Sequence, residues 1–128
     1  MEYNFVELQT YRGINKSIYS GTVAGTTSVT VDTKLTPVDV MPFKEATFFV
    51  NVTAISGTNA SLAFKIQTQD PVSLVWSDLV AFTAKTATGA EVKFVAANLG
   101  QKIALTMTLT GTGAISITLT VAANFKIM

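Results

Sequence analysis

Apolar and polar side chains alternate one for one through two long stretches of this chain. Thr47–Gln69 reads TFFVNVTAISGTNASLAFKIQTQ, and Lys102–Ala122 reads KIALTMTLTGTGAISITLTVA. Alternation with period two places apolar side chains on one face of a strand and polar ones on the other. In the first stretch Phe48, Val50, Val52 and Ala54 share a face, as do Leu62, Phe64 and Ile66, with Lys65, Gln67 and Gln69 pointing outward. In the second, Ile103, Leu105, Met107 and Leu109 share a face, as do Ile115, Ile117, Leu119 and Val121. Gly57-Thr58-Asn59 and Thr110-Gly111-Thr112-Gly113 interrupt the two runs and read as turns. The pattern therefore predicts two antiparallel hairpins, each with one apolar face to cover. The simplest cover for either is the other.

The rest of the chain extends this picture. Val29 and Val31 alternate in Ser28–Thr33. Pro37 and Pro42 mark Thr36–Met41 as a loop or a sheet edge, because proline donates no ladder hydrogen bond. Asp70-Pro71-Val72-Ser73 reads as a turn. Trp76–Thr83 reads as a strand in which Trp76 and Leu79 have opposite parity. A bulge near Ser77-Asp78 would bring them to one side. Glu91–Val95 is a short strand with Val92 and Phe94 aligned. No amphipathic helix is expected. The fold predicted is all-β: an antiparallel, jelly-roll-like β-sandwich of about eight strands. The sandwich domain covers residues 27–128, after an irregular N-terminal arm of residues 1–26 with short strands. Each large aliphatic side chain fully buried in such a core contributes ~1.5–3 kcal/mol.

Composition narrows the chemistry. Charged residues make up 13% of the 128 residues, against about 25% in ordinary soluble domains. The polar surface is therefore built mostly from Thr, Ser, Asn and Gln, and the net charge is +1. Weak charge gives little repulsion between copies of the chain or between the chain and a large partner. Histidine and cysteine are absent, so a Ser-His-Asp triad, a thiolate metal site and a disulfide framework are all excluded. The eight acids are scattered and fall in or beside turns, where surface solubility is their expected role. No cofactor site and no catalytic residue are predicted. Arg12 is the only arginine and the lysines are dispersed, which argues against nucleic-acid binding. No apolar stretch approaches the ~20 residues of a membrane helix, and the N-terminus lacks the pattern of a secretory signal.

Two aromatic features stand out. Tyr3, Tyr11 and Tyr19 gather in the arm with Arg12. Tyrosine is a frequent interface anchor, since it combines apolar area with a polar handle. These four residues are the candidate partner-binding set. Trp76, the sole tryptophan, is expected in or at the edge of the core. The alternative for it is a sugar-stacking platform.

Val52–Gln67, Trp76–Thr83 and Thr108–Ser116 also carry a resemblance. They are similar to the V-T-A-V-S-G-T-x-P-T-L-x-V-x-I-Q, W-x-D-L-x-x-F-T and T-I-G-G-T-x-P-S segments of small virion structural proteins of tailed bacteriophages. The similarity runs from about Val38 to Val121. This chain departs from it in the turn before Trp76 and in the spacing of Gly111 and Gly113. The resemblance implies a non-enzymatic head decoration (cement) protein, made in the host cytoplasm and located in the virion. Its partner would be the phage major capsid protein, bound as a homo-oligomer such as a trimer. The alternative function is a carbohydrate- or receptor-binding module of a phage tail or fibre.

Overall fold

The computed structural model describes residues 14–96 and 99–126. Among the described residues six strands make up one antiparallel sheet: β1 (Ile14–Asp32), β2 (Val38–Asp39), β3 (Glu45–Gln69), β4 (Trp76–Ala81), β5 (Gly89–Val95) and β6 (Lys102–Lys126). No helix occurs among the described residues. β3 and β6 lie at the centre, with β1 and β2 on the outer side of β6 and β4 and β5 on the outer side of β3.

The two predicted hairpins are not hairpins. Each alternating stretch is one strand of 25 residues, and the two pair with each other, from Glu45↔Lys126 to Thr68↔Ile103. A tight reversal would make the arms of one stretch hydrogen-bond to each other. Here the neighbouring long strand supplies those partners, so the chain has only to bend. The bend falls where the turns were expected. Register shifts cluster between Val52 and Ser61, and Gly57, Asn59 and Gly113 take positive φ. β1 bends at the same level, with a register shift between Thr26 and Ser28 and positive φ at Thr27. Extra residues of this kind kink a strand and raise its twist.

The bend doubles the sheet back on itself. The Val40 amide donates to Gln101 O at 2.8 Å, and the Lys44 amide donates to Lys126 O at 3.0 Å. Residues 40–44 thus connect the two ends of β6 and can span at most about 18 Å. A straight strand of that length would extend about 80 Å. One face of both halves is therefore turned inward, and it closes a single core containing Phe48, Val50, Leu62, Ile66, Leu105, Ile117 and Leu119. Phe125 stacks on Phe43 at 5.1 Å and meets Phe48 edge-on at 6.1 Å. Phe64 stacks on Phe82 at 4.5 Å.

The predicted inner positions of β6 are all buried, as are those of β3 except Ala54. Ala54 is exposed because the shift after Val52 rolls it out of the row. Ile14–Thr26, expected within an irregular arm, belongs to β1 and pairs along β6. In β4 the bulge falls at Leu79, not at Ser77-Asp78: Ile66 faces Val80 and Gln67 faces Asp78. Leu79 packs against the core while Trp76 shares the outer row with Gln69, so the two are not on one side.

Candidate docking surface

β4 and β5 follow β3 around the bend as two pieces of one interrupted edge. β4 pairs with Lys65–Gln69, a bridge joins Lys85 to Leu62, and β5 pairs with Ala46–Val52. In β5 the inner row carries charge. Glu91 lies opposite Val50 and Lys93 opposite Phe48, both of them core positions. The outer row carries Val92 opposite Phe49 and Phe94 opposite Thr47. Phe49, Val92 and Phe94 are 45%, 55% and 57% exposed and form an apolar patch. The sequence expectation that Val92 and Phe94 are aligned holds, but they align toward solvent.

Glu91 holds this orientation in place. Its carboxylate accepts hydrogen bonds from the Thr83 amide at 3.1 Å, from Thr83 Oγ1 at 3.2 Å and from Lys85 Nζ. Lys93 Nζ lies 3.7 Å away. The Glu91 and Lys85 side chains are only 16% and 13% exposed. Burial alone pushes the Glu91 carboxyl up, but the Lys85 ammonium and the Thr83 donors outweigh it, so the group sits below the ordinary glutamate value. Its expected role as a solubilising surface acid is therefore corrected: it ties the 82–88 connection to the rim of the core.

The outer face of the other half is different in kind. Thr106 Oγ1 donates to Gln67 Oε1 at 3.0 Å, Gln67 Nε2 donates to Asp78 Oδ1 at 3.0 Å, and Lys65 Nζ lies 2.9 Å from the same oxygen. The Asp78 carboxyl is held below its ordinary value, chiefly by the Lys65 hydrogen bond. Hydroxyl pairs cross the strands at Thr30–Thr108 (3.4 Å) in this half, and at Thr22–Thr118 (2.8 Å) and Ser56–Ser116 (2.9 Å) on the β5 side of the bend. Such pairs favour the pleat. They satisfy the hydroxyls internally and bring no charge to the strands they cross.

The remaining described acids also have structural partners. Asp32 accepts from the Lys34 amide and Asp39 from the Met41 amide, both at 3.0 Å. Glu45 pairs with Lys126 at 3.8 Å. Asp70 accepts from the Val72 and Ser73 amides at 2.8 and 3.2 Å, bonds that hold its carboxyl below the ordinary value. Among the described residues no three His, Cys, Asp or Glu side chains gather as a metal site would need. No described helix is long and apolar enough to cross a membrane.

Of the predicted partner-binding residues, Tyr3, Tyr11 and Arg12 lie outside the described residues. Tyr19 is half-buried opposite Val121 and packs against the core. Trp76, the candidate sugar platform, is partly exposed beside Gln69 on β4. The apolar patch on β3 and β5 was not singled out from sequence. The signal was present in the V-K-F alternation of β5, but alternation does not say which row faces inward.

No family model matches the chain, and no curated protein matches it. Among solved structures it is similar to the Yersinia pseudotuberculosis-derived mitogen (YPM), with 9% sequence identity, a TM-score of 0.38, and coverage of 91% of this chain and 87% of that one. A likeness at that level carries no argument about function.

Proposed function

We propose that this chain is a non-enzymatic structural protein of a tailed-phage virion, a head decoration protein that binds the major capsid protein. In this reading the doubled sheet is a jelly-roll-like sandwich acting as a stiff plate. The observation that carries the reading is the use of the acids: each of the six in the described residues holds a turn, a strand or a connection. The resemblance of Val52–Gln67, Trp76–Thr83 and Thr108–Ser116 to small phage virion proteins supplies the context. Docking on capsid subunits uses the N-terminal arm and a sheet edge. Among the described residues β1 pairs with β6 alone and β5 with β3 alone, which makes both of them edge strands of the described sheet. Display on a repeating lattice lets weak single contacts suffice.

The test is co-sedimentation with capsids of the encoding phage that lack this protein. Saturable binding with a gain in capsid heat resistance supports decoration, and its absence overturns it. Trp76 on the outer row of β4, beside Gln69, favours one second reading, a glycan-binding module of a tail or fibre. Quenching of Trp76 fluorescence by cell-wall glycans, without capsid binding, would establish that one instead.

A further inference from the structure

Among the described residues β5 pairs with β3 alone, and its two faces carry different chemistry. Glu91 and Lys93 stand on the inner rows, and Ala90, Val92 and Phe94 on the outer ones. Charges that point inward from an edge strand oppose indiscriminate pairing, because most incoming strands would set them against apolar or like-charged groups. They admit a strand that brings opposite charges to the same places.

A second copy of β5 is such a strand. Residues directly opposite in an antiparallel pair share a face, so a strand meets its own copy only with one residue on the two-fold axis. With Glu91 on the axis, two carboxylates face each other. With Lys93 there, two ammonium groups do. With Val92 there, Glu91 faces the partner's Lys93 and Lys93 faces the partner's Glu91. Two further features select that same register. Val92 is the middle residue of Gly89–Val95, so all seven residues of the strand pair. On the outer rows Val92 meets its own copy, and the bulky Phe94 lies opposite the small Ala90 of the partner. The exposed patches of Phe49, Val92 and Phe94 then join into one across the axis. Lys93, with its side chain 41% exposed, is free enough to reach across, and the net charge of +1 sets little repulsion between copies.

We infer that two copies of this chain associate by antiparallel pairing of β5 with β5 about a two-fold axis at Val92, which extends the sheet from one copy into the other. The contact is isologous and closes as a dimer. One seven-residue strand makes less than the roughly 800 Å² that a stable complex buries on each side, so the dimer is weak and concentration-dependent. This goes beyond the decoration reading and does not depend on it.

The chain contains no cysteine, so a single introduced thiol reports cleanly. Val92→Cys puts the two thiols on the axis. Residues opposite each other there have Cα atoms about 4.5–5.5 Å apart, inside the range of roughly 4.4–6.8 Å that a disulfide bridges. Ala90→Cys is exposed on the same face, but the pairing would hold its two copies about 14 Å apart. Under mild oxidation of the full chain, Val92→Cys should form linked dimers at least tenfold faster than Ala90→Cys at the same concentration. Adding Lys93→Glu, which sets carboxylates opposite each other, should slow Val92→Cys several-fold. Lys93→Gln, which removes only the attraction, should slow it less and keeps the test readable if Lys93→Glu fails to fold. Sedimentation of the wild-type protein should show a reversible monomer–dimer equilibrium. Equal rates for the two cysteine variants would overturn the inference, as would indifference to both Lys93 substitutions. So would a wild-type protein that stays monomeric at the highest concentration reached, or one that grows past the dimer. The free protein is used throughout, so failure here is separate from failure to bind capsids.

Discussion

β4 lies beside Lys65–Gln69 of β3, and β5 beside Ala46–Val52 of the same strand. Both are short edge strands carrying an acid and large apolar residues, yet they face opposite ways. β4 skips Leu79 in the ladder, which sets Val80 beside the buried Ile66 and sends Asp78 to the outer row. There Asp78, itself largely exposed, joins Lys65 and the buried Gln67 in a hydrogen-bonded network. β5 has no such shift; it keeps Glu91 and Lys93 on the inner rows and leaves Val92 and Phe94 outside. A one-residue slip would bury the apolar pair and expose the charges. The Glu91 bonds to Thr83 and Lys85 oppose that slip. The contrast shows that an outward apolar row on an edge strand is maintained by specific bonds, where the same strand's other neighbour has the ordinary arrangement.

The strongest way to break the comparison is to place a charge on each side of the sheet. Leu119 is fully buried opposite Val52, next to the start of β5. Leu119→Asp buries an unpaired charge and should cost more than ~4 kcal/mol, a large part of a domain's stability. Little soluble folded protein is expected, as read by circular dichroism. Phe94→Asp should instead leave the thermal midpoint within a few degrees. A collapse of Phe94→Asp comparable to that of Leu119→Asp would mean that β5 faces the other way.

The bend separates the territory of β4 from that of β5, and at Gly57 it brings two backbones close together. A Cβ there would meet Ala114 O at 2.8 Å and Ile115 Cγ2 at 2.7 Å, at a φ of +116° that L-residues rarely adopt. The carbonyl is backbone and cannot swing away. Gly57→Ala should therefore cost about 1–3 kcal/mol, measured by denaturant unfolding. A neutral result would show that the strands do not kink there. Gly113 has positive φ but open space around it, so Gly113→Ala carries only the conformational strain and should be milder.

Much of this was legible in the residues, and the losses have a common physical cause. The inner rows of β3 and β6 follow from alternation, because one buried face needs a run of apolar side chains at every second residue. The bend sites were also visible as Gly57-Thr58-Asn59 and Thr110–Gly113. Whether such a site reverses a chain or only kinks it depends on where the flanking hydrogen bonds go. Those partners lie far along the chain on the other long strand, as Ser116 does for Ser56. The orientation of β5 failed to show for the same reason. Val92 and Phe94 look like a core row until Glu91 meets Lys85 across the 82–88 connection. Residue pairs that decide between two faces are contacts in space, and a local pattern is symmetrical between them.

The smallest effects separate the two acids themselves. Glu91→Gln keeps an acceptor for Thr83 but removes the charge that the mostly buried Lys85 faces, and should cost about 1–3 kcal/mol at neutral pH. The sign of the pH dependence follows from the lowered carboxyl. The unfolded chain takes up the proton first, near the ordinary glutamate value of about 4.3. Stability from Glu91 is thus complete above that value and is lost as pH falls through the lower folded value. Unfolding measured from about pH 6 downward should show part of the wild-type acid slope missing in Glu91→Gln. Asp78 is shifted in the same direction, but its carboxylate is solvated and its pairing with Lys65 is screened. Asp78→Asn should therefore change the slope and the midpoint less than Glu91→Gln does. If the two variants behave alike, Glu91 is no more buried than Asp78, and the bonds that hold the apolar row outward are not those assigned to it.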